Sequence, residues 1–361
     1  LKDKHGIETI EDHELQNRMI LWAQVNLRFF RYLAAEMGEQ KLIAHFHEWM
    51  ASLPILDLQG ENLKTVFTTH ATMLGRYLAG SAEGFYERLA SYNWFEEAKR
   101  YGILPMAQIE RLSAHAADSF TTVSEMTALE CRYLLGKDPD EITPNGLNIK
   151  RFVAMHEVQN LHQKFKEKIH EFTMGHFFHS YSFDLDDTLY FFTSGRYEFS
   201  NKGYDITLEA LRRLNERMKK EGLSTTVVMF VVTQRETWSI NPEVLQSRGV
   251  MSEIQKNVEA IKEQLGERLF RAAVSAQDDH RLPPLNDMVD DYWKLRYRRT
   301  IQSWKSDKWP IIVTHNLVDE ENDAVLNYMR ENQIFNSPLD RVKVVYHPQF
   351  IKSTNPLFGI D

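Results

Sequence analysis

The chain has 361 residues, of which 43% are hydrophobic and 12% aromatic, and its formal net charge is -8. This composition predicts an enzyme-like folded protein of about two domains, and it excludes a nucleic-acid binder, which needs a clustered basic face. Cys131 is the only cysteine, which favours the cytoplasm, and no apolar run approaches the roughly 18 residues of a membrane span, so no membrane partner is expected.

The first 150 residues alternate between strand and helix patterns. The predicted elements are a long helix over 14–38, strands over 41–47, 65–70 and 119–124, and helices over about 83–117 and 125–135. Ser124 is placed as the N-cap of the last helix. This alternation predicts a parallel sheet with helices on its faces, and the turn at 144–148 closes the unit.

A second alternation follows a polar helical stretch. The predicted elements are strand 189–194, helix 205–221, strand 226–232 and strands 309–315 and 342–347. The first three form a βαβ unit, expected to cross over right-handedly. We therefore predict an α/β protein with an N-terminal domain over 1–155, a helical connector over 156–188 and a C-terminal domain over 189–361.

Long, charged helical sequence fills residues 238–306, between two strands of the second domain. Its mixed charge suits a protruding helical hairpin. Two interpretations stay open. The hairpin either extends into solvent without a partner, or it forms a contact between copies of the chain in a homo-oligomer.

The segment Gly195–Gly203 is the strongest candidate for a ligand site. An apolar strand pattern stops at Gly195, and Arg196 and Lys202 follow before a helix pattern begins. In α/β sheets, ligands bind beyond the carboxyl ends of strands, where a glycine turn and a helix N-terminus suit phosphate. The sequence alone leaves a phosphate site and an ordinary solvated loop equally open.

Histidines mark the ends of two predicted strands. His45 and His47 lie at i and i+2, on one face of a strand, where two imidazoles could share a metal. No third ligand stands at a standard spacing, so a polar strand end that lines a cleft is favoured and no metal is expected. His70 ends the next strand and Arg76 lies about two helical turns beyond, although a structural role for His70 stays open.

Asp184–Thr188 matches the D-x-D-x-T signature of haloacid-dehalogenase-type phosphatases, in which the first aspartate is the nucleophile and both carboxylates hold magnesium. In that family the aspartates follow a buried strand. Here the strong apolar run comes after Asp184, which would place the carboxylates at the wrong edge of the sheet. A magnesium-dependent phosphatase is therefore a minor alternative.

Five segments together resemble those of one enzyme family, the glycogen synthases of the animal and fungal type (glycosyltransferase family 3). They are His45–Trp49, Thr68–Arg76, Thr143–Asn148, Gly195–Gly203 and Arg341–Pro348, in this order and at agreeing approximate spacing. The resemblance implies two Rossmann-like domains facing a cleft, the B-type glycosyltransferase fold. It also implies a retaining enzyme that moves glucose from UDP-glucose to the non-reducing end of α-1,4-glucan.

The resemblance implies roles for residues on the nucleotide side. Arg196 and Lys202 would contact the diphosphate of UDP-glucose, and Phe350 would stack on uracil. Loss of UDP builds negative charge on the diphosphate, and two fixed cations stabilise that charge. No metal or other cofactor is then required.

On the sugar side, the resemblance places His70 and Arg76 along the cleft. Asn145 is a candidate at the glucosyl end, and Glu48 is a candidate near the acceptor or the reacting sugar. The helical insertion would match the region through which such enzymes form tetramers.

The resemblance also implies parts that the sequence does not include. A glycine-containing donor loop would precede Leu1, and a glutamate motif and a regulatory arginine-rich helix would follow Asp361. The chain by itself is therefore expected to be an inactive part of a synthase. The alternative from another class is a noncatalytic scaffold that binds nucleotide or glucan.

Overall fold

The computed structural model describes residues 1–9, 14–38, 40–81, 84–149, 155–275 and 284–352, with residues 155–158 described by their backbone alone. The chain divides into two compact units, Leu1–Ile149 and Lys150–Asp361. No helix in these ranges is both long and apolar enough to cross a bilayer.

The first unit is built on a four-stranded parallel sheet in the order β1-β2-β3-β4. Its elements in chain order are α1 (Lys2–His5), α2 (Glu14–Glu36), β1 (Ile43–His47), α3 (Glu48–Ser52), α4 (Ile55–Leu58), β2 (Lys64–Thr69), α5 (Met73–Ser81), α6 (Trp94–Arg100), α7 (Leu104–Ala116), β3 (Ser119–Thr122), α8 (Glu125–Glu130) and β4 (Glu141–Ile142). All three strands predicted for this unit are present, and parallel pairing puts their carboxyl ends at one edge.

Local sequence signals set the boundaries in this unit. The Ser124 side chain accepts from the Thr127 N–H at 3.1 Å, which confirms the predicted N-cap of α8. The helix continues as a π-helical turn over Cys131–Leu135 and ends at Gly136, whose φ is 68°. Strand β1 is buried on alternate residues, so His45 and His47 share the exposed face as predicted.

The second unit contains a three-stranded parallel sheet in the order β5-β6-β9 and a two-stranded antiparallel sheet, β7-β8. Its elements are α9 (Met155–Phe177), β5 (Thr188–Ser194), α10 (Tyr204–Glu221), β6 (Thr226–Val232), β7 (Thr237–Ile240), α11 (Pro242–Ser275), α12 (Asp291–Trp304), β8 (His315–Leu317), α13 (Ala324–Glu331) and β9 (Val342–His347).

Strand β6 is the centre of the second core. All seven of its residues are buried, with Val228 and Phe230 in one apolar cluster and Met229 and Val231 in another. Full burial of such side chains stabilises a fold by about 1.5–3 kcal/mol each. Helix α9 adds Phe177 to the first of these clusters, so its C-terminal end is part of this core.

The predicted strand 309–315 is wrong over most of its length. Pro310 has no N–H to give to a ladder, and the Ile311 carbonyl accepts from the buried His176 ring at 2.8 Å. Only Val313 forms an isolated parallel bridge, to Tyr346. The strand that follows, β8, pairs antiparallel with β7 instead of joining the main sheet.

Helices α11 and α12 pack on each other in the region predicted to be an insertion. The guanidinium Nε of Arg296 donates to the Glu253 carboxylate at 2.9 Å, and the buried Asn257 amide donates to the Thr300 hydroxyl at 3.1 Å. Polar contacts of this kind fix the register between two helices whose sequences are rich in charge.

Candidate functional site

The carboxyl edge of the first sheet carries several predicted site residues. Glu48 follows β1, His70 follows β2 and Asn145 lies on the exposed loop after β4. Nδ1 of His47, the last residue of β1, is 3.0 Å from Nε2 of His70, and the two rings stack with centroids 5.3 Å apart.

Glu48 occupies a backbone conformation that non-glycine residues rarely adopt. Its φ is 63°, a conformation that costs of the order of 1–3 kcal/mol and that recurs at functional sites. In this conformation Oε1 accepts from the His70 N–H at 3.0 Å and lies 3.5 Å from the Arg76 guanidinium. Glu48, His70 and Arg76 therefore form one connected group.

A polar row continues from this group across the sheet. His45 Nε2 is 2.7 Å from the Thr68 hydroxyl, which is 2.6 Å from the Thr121 hydroxyl. Burial lowers the pKa of His45, and the charges of His47 and His70 lower it further. Its environment therefore favours the neutral form of His45, which stands at one end of a row of three imidazoles. Among the described residues, no group of three or more His, Cys, Asp or Glu side chains has the arrangement of a metal site.

Two buried glutamates next to this edge were missed by the sequence analysis. Glu110 on α7 is 0% exposed and Glu130 on α8 is 6% exposed. Burial raises the pKa of Glu110 to about 7. The sequence did contain a signal for Glu110, because this charged residue falls on the same helix face as the apolar Met106, Ala107 and Ile109. A charge on an apolar face indicates a buried carboxyl group.

The carboxyl edge of the second sheet carries the loop 195–203. The Gly195 N–H donates to the Val232 carbonyl at 3.2 Å, and the Tyr204 hydroxyl donates to the Gly195 carbonyl at 2.9 Å. Both contacts fix the start of the loop against the sheet. Its last residue, Gly203, has a φ of 68° and immediately precedes α10.

Both predicted cations of this loop are exposed. Arg196 forms an ion pair with Glu198 at 3.0 Å, and Lys202 stands directly before Gly203, the N-cap of α10. The N-terminus of an 18-residue helix adds positive potential near Lys202. The loop therefore has the features of an anion site.

Arg235 is a third cation at this edge, and the sequence analysis missed it. Its guanidinium is 3.3 Å from the fully buried Asp323 carboxylate and 4.2 Å from the centre of the Tyr197 ring. Because Arg235 lies just after β6, its contact with Tyr197 connects the loop 195–203 to the end of that strand. Residues 234–238 with Val318 and Asp319 line an open cavity of about 820 Å³ beside it.

Phe350 lies just beyond β9 at the same edge and is 40% exposed. Near the end of β9, the Thr314 hydroxyl is 2.9 Å from Nδ1 of both His315 and His347. Burial lowers the pKa of His347 to about 3, so this ring is neutral at physiological pH. An exposed aromatic ring is suited to stacking on a flat heterocycle.

The aspartates of the phosphatase signature lie at the opposite edge. Asp184 precedes β5 and its carboxylate accepts from the Asp186 N–H at 2.9 Å. The neighbouring Asp187, which is not part of the signature, accepts from the Ser224 and Thr225 hydroxyls at 2.8 Å each. The signature segment thus lies at the amino end of the sheet, away from loop 195–203.

Parallel sheets with polar and cationic loops at their carboxyl edges define an α/β protein of the Rossmann-like class. A family model described as glycogen synthase matches residues 1–361. The chain belongs to the glycogen synthase family.

Similar curated proteins carry the same name. A glycogen [starch] synthase of Neurospora crassa is 42% identical over 358 residues, 99% of this chain and 51% of the relative. Isoform 2 of Saccharomyces cerevisiae is also 42% identical, over 99% of this chain and 52% of the relative. The Homo sapiens liver glycogen [starch] synthase is 39% identical over 96% of this chain and 49% of the relative. The chain thus spans about half the length of the curated relatives that it matches.

Proposed function

We propose that the full-length protein is a retaining glucosyltransferase that moves glucose from UDP-glucose to the non-reducing end of an α-1,4-glucan. Membership of the glycogen synthase family supports the reaction class. The observation that carries the proposal is the loop 195–203, which presents Arg196 and Lys202 at the carboxyl edge of a parallel sheet.

In this proposal Arg196 and Lys202 bind the diphosphate and stabilise the charge that develops as UDP leaves. Arg supplies a planar fork for phosphate oxygens and Lys a compact charge. The ion pair between Arg196 and Glu198 is 64% exposed on the arginine side, so solvent screens it and its loss costs little. Phe350 would stack on the uracil ring.

The edge of the first sheet would serve the sugar. His70 and Arg76 would contact the glucosyl group, Asn145 would bind at the glucosyl end, and Glu48 would lie near the acceptor or the reacting sugar. The shared contacts of Glu48 with the His70 N–H and the Arg76 guanidinium support a common role for these three. We assign the two units as the Rossmann-like domains of a B-type glycosyltransferase.

The remaining assignments follow from the same family membership. The enzyme would work in the cytoplasm and would need no metal or other cofactor, because the two cations do the work that a divalent ion does elsewhere. The helical region 238–306 would form the contacts of a homo-oligomer.

Incubation of full-length protein with UDP-glucose and glycogen in EDTA tests this proposal. UDP should be released, and the new glucosyl unit should be α-linked by NMR. Arg196→Ala or Lys202→Ala should lower turnover 100-fold or more, about 3 kcal/mol of transition-state stabilisation.

Arg217→Ala is the matched control, since Arg217 is a 77% exposed arginine near the other end of α10. It should leave turnover within about twofold. Folded protein that releases no UDP would contradict the proposal and favour a noncatalytic scaffold. Release only with added Mg²⁺ would contradict the metal-free reaction, and near-normal turnover of both variants would refute the roles of Arg196 and Lys202.

A further inference from the structure

Glu110 forms hydrogen bonds to both ends of the turn between β2 and α5. This fully buried carboxylate accepts from the Thr69 hydroxyl through Oε1 at 2.8 Å and from the Met73 N–H through Oε2 at 2.7 Å. The two donors lie on either side of His70. Glu110 therefore bridges the end of the strand and the start of the helix.

Glu130 holds the same turn from a second helix. Its Oε2 accepts from the Thr72 hydroxyl at 2.7 Å and from the Thr72 N–H at 3.3 Å, while Oε1 accepts from the Tyr86 hydroxyl at 3.0 Å. The approach is close: a Cβ atom on Gly75 would lie 2.4 Å from both Glu130 Oε2 and Thr72 Oγ1. Because the Thr72 hydroxyl donates a hydrogen bond to Glu130 Oε2, a shift of either atom away from a new Cβ would break that hydrogen bond.

Stability alone does not account for two carboxylates here. Burying an ion costs several kcal/mol even after relaxation, and apolar replacements of similar size are often as stable. Hydrogen-bonded buried groups can instead fix one conformation among several. The conformation fixed here is that of residues 69–73, and His70 is the residue in this turn that contacts both Glu48 and His47.

We propose that Glu110 and Glu130 are positioning residues, which hold the His70 turn in its reactive arrangement without touching substrate. This inference rests on the proposed function, in which His70 contacts the glucosyl group. Misplacement of such a group by about 1 Å can cost about 100-fold in rate.

Glu110→Gln and Glu130→Gln test the proposal in full-length protein. Glutamine keeps the size of the side chain but turns an NH₂ group toward a donor of the turn. Each variant should lower kcat about 10- to 100-fold while KM for UDP-glucose stays within about threefold, because the nucleotide contacts lie in the other unit. Glu125→Gln on α8 is the control, since Glu125 is exposed, and it should leave kcat unchanged.

A double variant separates positioning from general loss of structure. Thr72→Val removes the hydroxyl that Glu130 binds, so Glu130→Gln with Thr72→Val should lower kcat no more than about twofold beyond the worse single change. Full additivity of the two losses would overturn the assignment. If a glutamine variant does not fold, Thr69→Val and Thr72→Val give the same test, and unchanged kcat in both refutes the proposal.

Hydrogen exchange supplies a readout that does not depend on activity. Amides in the segment 69–76 should exchange at least about tenfold faster in both glutamine variants, while those of β3 keep the wild-type rate. If the wild-type protein releases no UDP, the proposed function fails but this measurement still shows whether the turn depends on the two glutamates. Unchanged exchange at 69–76, or normal kcat in folded variants, overturns the inference.

Discussion

Glu110 couples the stability of the first unit to pH. Its carboxyl group is fully buried, and its pKa rises from 4.5 to about 7 because burial disfavours the charged form. A carboxyl group whose pKa is raised by folding stabilises the protein fully below its ordinary pKa. That contribution is lost as the pH rises through the folded value.

We therefore predict that Glu110 makes the wild-type protein lose about 3 kcal/mol of unfolding free energy between pH 4.5 and 8, relative to Glu110→Gln. Denaturant unfolding of both proteins across this range measures the difference, and other titrating groups cancel because both proteins contain them. Glu125→Gln should follow the wild-type curve. A constant offset between wild type and Glu110→Gln would contradict the raised pKa.

For individual residues, the sequence predicted positions at the sheet edges better than it predicted contacts between side chains. Order along the chain and parallel pairing place Glu48 and His70 side by side. The contact of Glu48 with the His70 N–H depends on a left-handed backbone at Glu48, which no propensity favours. Glu110 and Arg235 were missed because their partners come from distant segments, so neither stands in a local motif.

Among the elements, the start of α10 shows how a single backbone conformation sets a site. Gly203 is in the left-handed region at the N-cap, one residue after Lys202. A Cβ there would meet no atom within 4 Å, so only the backbone conformation requires glycine.

Gly203→Ala should lower the unfolding free energy by about 1 kcal/mol, the cost of a left-handed alanine. Gly203→Asn should cost less, because asparagine adopts this region more readily. Gly266→Ala, in the middle of α11 with equally open space, should raise it by about 0.5–1 kcal/mol. Denaturant midpoints measure all three, and a Gly203→Ala protein as stable as wild type would refute the argument.

Most elements of the fold were predictable because their signals are local. Strand β6 is an uninterrupted apolar run, and α10 repeats its apolar residues at helical spacing. The segment 309–314 was misread because apolar residues beside a proline satisfy a strand pattern without forming a ladder. The short strand β7 was missed because its polar and aromatic residues pair only with the distant β8.

For the whole molecule, the exposed apolar side chains of α11 suit contact with a second copy. Phe270 is 71% and Val274 is 72% exposed, and both lie near the C-terminal end of this long helix. Because they lie four residues apart, they share one face of the helix and form an apolar patch of the kind that marks an interaction surface.

If the proposed oligomer uses these helices, Phe270→Glu should shift full-length protein from a tetramer toward smaller species in light scattering. A buried charge without a partner disfavours the interface strongly. Leu339→Glu is the control, since Leu339 is 79% exposed on the segment before β9, and it should keep the wild-type mass. An unchanged mass for Phe270→Glu would exclude this contact.

Strand β5 has a consequence for handling the protein. Within the described residues it pairs only with β6, and Leu189, Phe191 and Phe192 are 53%, 51% and 77% exposed. An open strand edge with apolar side chains is a template for pairing with other chains. Preparations of residues 1–361 alone should therefore lose monomer as concentration rises, although the net charge is -8.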